Sequence, residues 1–300
     1  MKKTRISYRK CRKKDLVPSF RIVMSSINNL RKRTGKAIFR RRINKTPPLI
    51  DHVYSTNKDT FYCAWRKEQI IGFAAAVIRG KQWYLAWLFV HPRYQDKKVG
   101  RQLLNKVWRD SPGMTHALCT FAYNMQAVGI YSKFGLSPLC TIPVMTVRKE
   151  KLAGQIPNKL VVKDNPSKRD ISWINKLEDE IRGHRRREEI DFWNKSEKSS
   201  IYLFKKRGEN VGYSIVHKHG EIGPAGAISS EILKDITETS LYLAEPEKNA
   251  PLRLYCPTHN VVLYQHLIEK GFRNDEMTVY MADAPYPDAE RYLPATLALF

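Results

Sequence analysis

A strand, a turn and a helix follow one another between residues 83 and 107, and this segment constrains the fold more than any other. Residues 83–90 are aromatic and aliphatic, which is typical of a buried strand. Pro92 marks the turn, after which apolar residues recur at helical spacing, at Leu103, Leu104 and Val107. Gly100 therefore lies near a helix N-terminus, where unpaired N–H groups and the helix dipole can bind a pyrophosphate.

A second segment, residues 124–136, is predicted to form a short helix that carries a tyrosine four residues before a helix-ending glycine. The two segments together resemble the GCN5-related N-acetyltransferase (GNAT) superfamily. In that family a Gln/Arg-x-x-Gly-x-Gly/Ala turn binds the pyrophosphate of coenzyme A, and a later helix places a tyrosine beside the coenzyme A sulfur. The positions that match this pattern are Gln95, Gly100, Asn124, Tyr131 and Gly135.

The resemblance implies an enzyme that uses acetyl-CoA as acyl donor and no metal. Tyr131 is then the catalytic acid that protonates the leaving thiolate, although a half-buried structural tyrosine is the alternative. Main-chain N–H groups near Phe89 and Val90 would bind the thioester oxygen. The residues implied to bind the cofactor are Phe89, Val90, Gln95, Asp96, Lys97, Lys98, Val99, Gly100, Arg101 and Asn124.

Two positions depart from the family pattern. Lys98 stands where the family usually has its first glycine, at a site where backbone approaches phosphate closely. Its side chain could crowd the ligand or could contact the phosphate directly. Leu136 replaces a phenylalanine, which is a mild change between apolar residues.

The general base has no clear candidate. Many relatives carry a glutamate on the strand before the turn, but residues 83–90 include no acid. His91 could accept a proton or could serve only the turn, and a water chain is the default. The aromatic residues of the strand could line an acceptor site or could belong to the core: Trp83, Tyr84, Trp87 and Phe89.

The chain contains an internal repeat. Residues 71–80 have a counterpart at 211–220, at an offset of 140, and residues 124–136 have one at 260–272, at an offset of 136. Each half therefore resembles one GNAT domain, and the predicted fold is α/β with mixed sheets in two tandem domains. We expect a catalytic domain at 1–150 and a degenerate domain at 155–300, joined where Gly154 and Pro157 break regular structure.

The two copies are not chemically equivalent. Tyr131 aligns with Leu267, and the second copy lacks a basic glycine turn. Only the N-terminal copy is therefore expected to bind acetyl-CoA, while the second would form part of the substrate site or an interface. Residues 177–187 vaguely resemble an acidic element of tandem relatives that could orient an amine. A charged helix end with Gly183 as its C-cap is the better supported interpretation.

Composition narrows the class of protein. The chain has 300 residues, of which 42% are hydrophobic, and no apolar run reaches the ~18 residues that span a membrane. The basic N-terminus lacks the apolar core of a signal peptide, so we expect a cytoplasmic protein. Five scattered cysteines without a C-x-x-C pair indicate neither a disulfide framework nor a zinc site.

The net charge of +24 is concentrated in residues 1–60, which carry 18 Lys/Arg against 3 Asp/Glu. Such a surface could attract an anionic partner, or it could be a solvated lysine-rich surface. Two alternatives to an enzyme follow. One is an acyl-CoA-binding pseudoenzyme, and the other is a nucleic-acid or ribosome-associated protein. The acceptor, a small-molecule or peptide amine, and the oligomeric state stay open.

Overall fold

The computed structural model describes residues 5–40, 42–152, 159–285 and 288–300. The chain divides into two compact units, residues 1–117 and 118–300, and the division falls within one strand, Thr115–Phe121. Helices and sheets occur in both units, which confirms the predicted mixed α/β fold. Residues 153–158 of the predicted linker lie outside the described residues, and the boundary between the two repeats stays a prediction.

The elements of the first unit are β1 (Ile6–Lys10), α1 (Leu16–Arg33), α2 (Pro48–Thr56), β2 (Phe61–Arg66), β3 (Gln69–Arg79), β4 (Gln82–Val90) and α3 (Val99–Val107). The strands form an antiparallel sheet in the order β1-β2-β3-β4. Helices α1 and α3 pack against β3, and α3 buries the apolar residues that its helical spacing predicted.

The elements of the second unit are β5 (Thr115–Phe121), α4 (Met125–Ser132), β6 (Ser137–Val147), β7 (Val161–Asp164), α5 (Lys168–Arg182), α6 (Arg187–Asn194), β8 (Ser199–Lys206), β9 (Glu209–His217), β10 (Ile222–Ala227), α7 (Ser230–Leu243), β11 (Leu252–Tyr255), α8 (Val261–Glu269), β12 (Arg273–Ala282) and β13 (Tyr292–Leu293). The strands form two sheets, in the orders β5-β12-β6-β11 and β13-β10-β9-β8-β7. Helices α5 and α7 both pack against β9 and β10.

Strands β6 and β12 pair antiparallel, with Ile142 opposite Thr278. These residues are 136 positions apart, the offset that relates the two helices in the sequence. The flanking pairs are symmetric about this central pair: Thr141 faces Val279, which is the repeat counterpart of Pro143, and Pro143 faces Met277, which is the counterpart of Thr141. Helix α4 directly precedes β6, and α8 directly precedes β12. Two copies of one helix–strand motif thus meet about a pseudo-twofold axis, which the sequence pattern did not reveal.

The hairpins β2–β3 and β8–β9 also show the repeat. Gly72 faces Ala64 and Gly212 faces Phe204, and each hairpin has an irregularity at the next pair. A Cβ added at Gly72 would lie 2.9 Å from the Leu103 Cδ1 atom. One added at Gly212 would lie 2.5 Å from the Gly226 carbonyl oxygen. Both glycines therefore permit close packing.

Cys11 and Cys63 form a disulfide, so the expectation of no disulfide was wrong for this pair. The residues are 52 positions apart, but the antiparallel pairing of β1 with β2 brings their Cα atoms to 5.6 Å. The sequence offered no spacing motif for this pairing. The other three cysteines, Cys119, Cys140 and Cys256, are free.

Among the described residues, every helix is either too short or too polar to span a membrane. No group of three or more His, Cys, Asp or Glu residues is arranged there to hold a metal ion.

We expect Gly212→Ala to destabilise the second unit more than Gly72→Ala destabilises the first. At Gly212 the new Cβ would meet backbone, which cannot move aside, whereas at Gly72 it would meet the end of a leucine side chain. The cost at Gly212 should be about 1–3 kcal/mol of unfolding free energy, measured by urea denaturation. Gly129→Ala is the matched control, since nothing lies within 4 Å of its added Cβ. An equal loss at Gly129 and Gly212 would contradict the packing argument.

Candidate functional site

Residues 91–101, here called the phosphate loop, connect β4 to the first turn of α3. Pro92–Tyr94 form a 3₁₀ turn, and His91 Nδ1 accepts a hydrogen bond from the Arg93 N–H at 3.3 Å. Burial, and then the charge of Arg93, lower the pKa of His91 and keep it neutral at pH 7. The contacts of His91 favour its role as a turn residue.

Two side chains predicted to bind the cofactor form hydrogen bonds within the protein. Gln95 Nε2 donates to the Val90 carbonyl at 3.1 Å and to Ser26 Oγ of α1 at 3.3 Å. Lys97 Nζ donates to the Arg93 carbonyl at 3.0 Å. Through these bonds the loop is tied to β4, to α1 and to itself. Gln95 and Lys97 are therefore positioning residues in this structure.

Lys98 adopts a left-handed conformation, with φ of 60°, immediately before α3. This conformation gives a second reason, besides close approach, why glycine suits this position. The first helical bond runs from the Gln102 N–H to the Lys98 carbonyl. The N–H groups of Val99, Gly100 and Arg101 come before this first bond and so have no acceptor within the helix. The Lys98 side chain does not cap them. The helix end can therefore bind an anion.

The backbone register of β4 distinguishes the two predicted thioester donors. The His91 N–H donates to the Ile71 carbonyl at 2.8 Å, and Phe89 faces Phe73. Since bonding alternates along an antiparallel pair, the Phe89 N–H points to β3 and the Val90 N–H points to the opposite edge. Phe89 is thus a poor donor to a ligand, which corrects that part of the prediction.

An irregularity in β4 lies further back along the strand. Ala75 faces Trp87 and Ala76 faces Leu85, so β4 carries one extra residue, Ala86. Such a bulge bends the strand and changes the direction of its later backbone groups, including that of Val90. The residue pattern did not predict it.

Most aromatic residues of β4 belong to the core. Trp83 donates through Nε1 to the Val107 carbonyl at 2.9 Å, and Trp87 packs with Phe61 and Phe73. Tyr84 is also buried, whereas Phe89 is half-buried. Of the two alternatives, the core assignment therefore holds for Trp83 and Trp87, because alternation and bonding turn them inward.

In the second unit, Asn124 caps the helix that carries Tyr131. Its Oδ1 accepts from the Ala127 N–H at 3.4 Å, and Gly135, with φ of 88°, lies just past the helix end. This bond assigns Asn124 a structural role. Tyr131 is 6% exposed, and burial raises the pKa of its hydroxyl. Because this pKa is raised, the hydroxyl keeps its proton at neutral pH and has it to donate. No described group forms a hydrogen bond with it.

Helix α8 repeats this arrangement with different chemistry. Asn260 caps it through the Leu263 N–H at 2.9 Å. The Phe272 N–H donates to the Leu267 carbonyl, just as the Leu136 N–H donates to the Tyr131 carbonyl. Leu267 is therefore the structural equivalent of Tyr131, as the alignment predicted. The second copy has no hydroxyl at this position.

The second copy also lacks a phosphate loop. Strand β10 ends at Ala227 and α7 begins at Ser230, so only two residues separate them. Ser229 Oγ accepts from the Ile232 N–H at 3.3 Å and caps the helix. The Ser229 side chain thus fills, in front of α7, the position that the N-cap residue leaves open in front of α3.

A buried charge cluster in the second unit was missed by sequence reasoning. Glu178 is completely buried and pairs with Arg186 at 2.6 Å and with Arg182 at 3.2 Å, and Tyr213 donates to it as well. Burial alone would raise the pKa of Glu178, but the two guanidinium groups and the hydroxyl lower it. The i,i+4 spacing to Arg182 was the available signal.

The predicted amine-orienting role of residues 177–187 is not favoured by these contacts. Asp179 pairs with Arg185 at 3.1 Å, and Glu180 pairs with Arg291 at 2.7 Å. Gly183 ends α5 in a left-handed conformation, with φ of 76°, which confirms its predicted C-cap role. The carboxylates of this segment are thus already paired.

Nearly all of the net charge belongs to the first unit. Residues 1–117 carry 28 Lys/Arg against 6 Asp/Glu, a net charge of +22, and residues 118–300 carry 25 against 23, or +2. The phosphate loop lies in the strongly basic unit. That unit will attract anionic ligands and partners.

Two family models match the chain. The acetyltransferase (GNAT) family matches residues 28–136, and an acetyltransferase (GNAT) domain matches residues 174–293. Together they cover 229 of the 300 residues. No curated protein matches the sequence.

Solved structures with the same fold span nearly the whole chain. A putative acetyltransferase from Pyrococcus horikoshii is 17% identical, with a TM-score of 0.75 and coverage of 98% of this chain and 96% of that chain. A GCN5-related N-acetyltransferase from Sphaerobacter thermophilus is 13% identical, with a TM-score of 0.62 and coverage of 95% and 98%. A tandem GNAT protein from the clavulanic acid biosynthesis pathway is 11% identical, with a TM-score of 0.60 and coverage of 94% and 99%. At these identities the likeness concerns the fold.

We expect Lys98→Gly to stabilise the first unit by about 1 kcal/mol, because a left-handed backbone costs a residue with a Cβ roughly that much. Urea denaturation measures the change. Lys97→Gly is the control, since Lys97 is absent from the positive-φ positions and bonds to Arg93, and it should lower stability. A loss of stability in Lys98→Gly would contradict the backbone argument.

Proposed function

The chain belongs to the GNAT acetyltransferases and carries two domains of that family, and on this basis we propose that it is an acetyl-CoA-dependent N-acetyltransferase whose N-terminal repeat alone binds coenzyme A. Acyl transfer follows from the family. The restriction to an amine acceptor, and the division into one active and one degenerate repeat, are the proposal.

The difference between the two helix N-termini carries this proposal. In front of α3, the N-cap residue is Lys98, whose side chain accepts no hydrogen bond from the N–H groups of Val99, Gly100 and Arg101. In front of α7, Ser229 caps the equivalent end. A pyrophosphate needs several convergent N–H donors and positive charge, and the first end offers both. The +22 charge of residues 1–117 supports the same assignment.

Two groups of the chain are assigned to the chemistry of transfer. Acetyl-CoA supplies the acyl group, which leaves sulfur for the acceptor nitrogen. The Val90 N–H would stabilise the negative charge that develops on the thioester oxygen. Tyr131, which burial keeps protonated, would give its proton to the departing sulfur. With no carboxylate on β4, the proton of the amine would pass to water.

An anionic macromolecule is a second candidate partner, through the basic surface of the first unit. The exposed residues include Arg40 and Arg42, in the segment after α1. Binding of this kind would be sequence-independent and would weaken steeply with salt.

A cytoplasmic location remains part of the proposal, although disulfides such as Cys11–Cys63 are uncommon in reducing compartments.

Acetyl-CoA should bind with a stoichiometry of one, as measured by calorimetric titration. Lys98→Glu and Arg101→Glu should each weaken binding about tenfold or more, because they place a negative charge beside the diphosphate while suiting a helix N-terminus. Lys106→Glu, in the last turn of α3, makes the same change of charge away from the loop and should have little effect. Absence of binding would contradict the proposal, and two equivalents would contradict the degenerate second repeat.

Tyr131→Phe should lower kcat about 10²–10⁴-fold and leave acetyl-CoA affinity nearly unchanged, because the ring still packs but the proton donor is lost. Steady-state kinetics with a panel of amines measures kcat, and calorimetry measures affinity. Tyr264→Phe removes a hydroxyl that bonds to Asn274 in the second copy and should keep full activity. Equal losses in the two variants would remove Tyr131 from the mechanism.

A further inference from the structure

We propose that the segment after α1 binds the surface of an anionic lipid bilayer and inserts Ile38 and Phe39, here called the apolar pair, among the lipid head groups. This inference does not depend on the proposed acetyl transfer. The side chains of Ile38 and Phe39 are 49% and 46% exposed. Of the large hydrophobic side chains described in residues 5–117, they alone are exposed. Scattered single apolar residues are normal on a surface, whereas these two are adjacent in one loop.

Side chains of α1 hold the backbone of the apolar pair. Asn28 forms two hydrogen bonds of 2.9 Å with Phe39, since its Nδ2 donates to the carbonyl and its Oδ1 accepts from the N–H. Arg31 Nε donates to the Ala37 carbonyl at 2.6 Å. A backbone group that enters a bilayer without a partner is costly, because lipid tails offer no hydrogen bonds. Asn28 and Arg31 remove this cost for three backbone groups and fix the loop on a helix.

The charged residues around the apolar pair are all basic. Residues 16–50 contain nine Lys/Arg and no Asp/Glu. Basic residues beside an apolar insertion are the combination that holds peripheral proteins on acidic lipid. Five of the nine cations are exposed and form no ion pair with a described residue: Lys32, Arg33, Arg40, Arg42 and Lys45.

The chemistry of the apolar pair favours lipid over nucleic acid. Single strands of RNA or DNA stack their bases on open aromatic faces. The Arg31 guanidinium lies over the Phe39 ring, with its Cζ atom 4.4 Å from the centroid, and so occupies one of the two faces. Ile38, the more exposed residue of the pair, has no aromatic face. A bilayer interface accepts both side chains, because it requires apolar surface and not a planar ring.

Co-sedimentation with lipid vesicles tests the binding. The intact chain should bind vesicles made of equal parts of phosphatidylcholine and phosphatidylserine at least about tenfold more tightly than vesicles of phosphatidylcholine alone. Added salt should weaken the binding, since the cations are exposed. Absence of binding to the anionic vesicles, or equal binding to both kinds, would overturn the proposal.

The double variant Ile38→Ser/Phe39→Ser tests the insertion. It should weaken binding to the anionic vesicles at least about tenfold, because the apolar area that enters the bilayer is lost. Val261→Ser/Val262→Ser is the matched control, since these adjacent residues of α8 are each 54% exposed but lie in the near-neutral second unit. The control should bind like the intact chain, and equal affinities of the two variants would overturn the proposal.

The double variant Arg40→Glu/Arg42→Glu tests the charges beside the pair, and it should also weaken binding at least about tenfold. Lys13→Glu/Lys14→Glu makes the same change of charge just before the other end of α1, which is roughly 27 Å long, and should have a smaller effect. Equal losses in these two variants would assign the binding to the overall charge of the first unit and overturn the proposal.

A variant that gains affinity removes misfolding as an explanation. Ile38→Trp should bind the anionic vesicles more tightly than the intact chain, because tryptophan is favoured at the membrane interface. Unchanged or weaker binding by Ile38→Trp would contradict insertion.

Fluorescence anisotropy with a single-stranded RNA of mixed sequence tests the competing partner. Any RNA binding through charge alone should be the same in the intact chain and in Ile38→Ser/Phe39→Ser. Loss of RNA binding in that variant, as large as its loss of vesicle binding, would assign the apolar pair to nucleic acid and overturn the proposal.

Discussion

The antiparallel pairing of β6 with β12 is the interaction on which the second unit depends. It joins strands that are 136 residues apart in register, with Ile142 opposite Thr278, and it places one copy of the helix–strand motif against the other. Each strand satisfies the backbone groups along one edge of the other, while the second edges pair with β11 and β5, so each copy of this motif covers a strand edge that the other would leave open. Homodimers achieve such isologous contacts between identical chains, whereas here a single chain contains both halves.

The pseudo-symmetry makes the differences between the copies informative. The backbone of the two capped helices is conserved between the copies down to the N–H that bonds to Tyr131 or to Leu267. The side chains differ at that very position, and the phosphate loop of the first copy is replaced by a serine cap in the second. The two copies therefore share their backbone geometry, whereas the groups suited to acyl transfer occur in the first copy. The near-neutral charge of residues 118–300 agrees with a unit that is not required to attract a polyanionic ligand.

Local patterns predicted the elements around the site well. Apolar spacing identified α3, and the repeat alignment paired Tyr131 with Leu267, because both signals depend on residues close in sequence. The side-chain roles were predicted less well. Gln95 and Lys97 match a binding motif but bond to the protein, since a motif records residue types and not their orientation. Phe89 was assigned to the site by the same resemblance, and the register of β4 turns its N–H toward β3.

The sequence by itself determined the family, the two-fold repeat and the chemical asymmetry of its copies, because these reside in local motifs and in the order of residues. Only the tertiary structure decided which backbone edge Val90 presents, that Cys11 meets Cys63, that Glu178 lies within a cluster of arginines, and that β12 completes the sheet beside β6. These features join residues that are distant in sequence or depend on a one-residue bulge. Long-range pairing is set by the packing of the whole chain, and no single segment carries its signal.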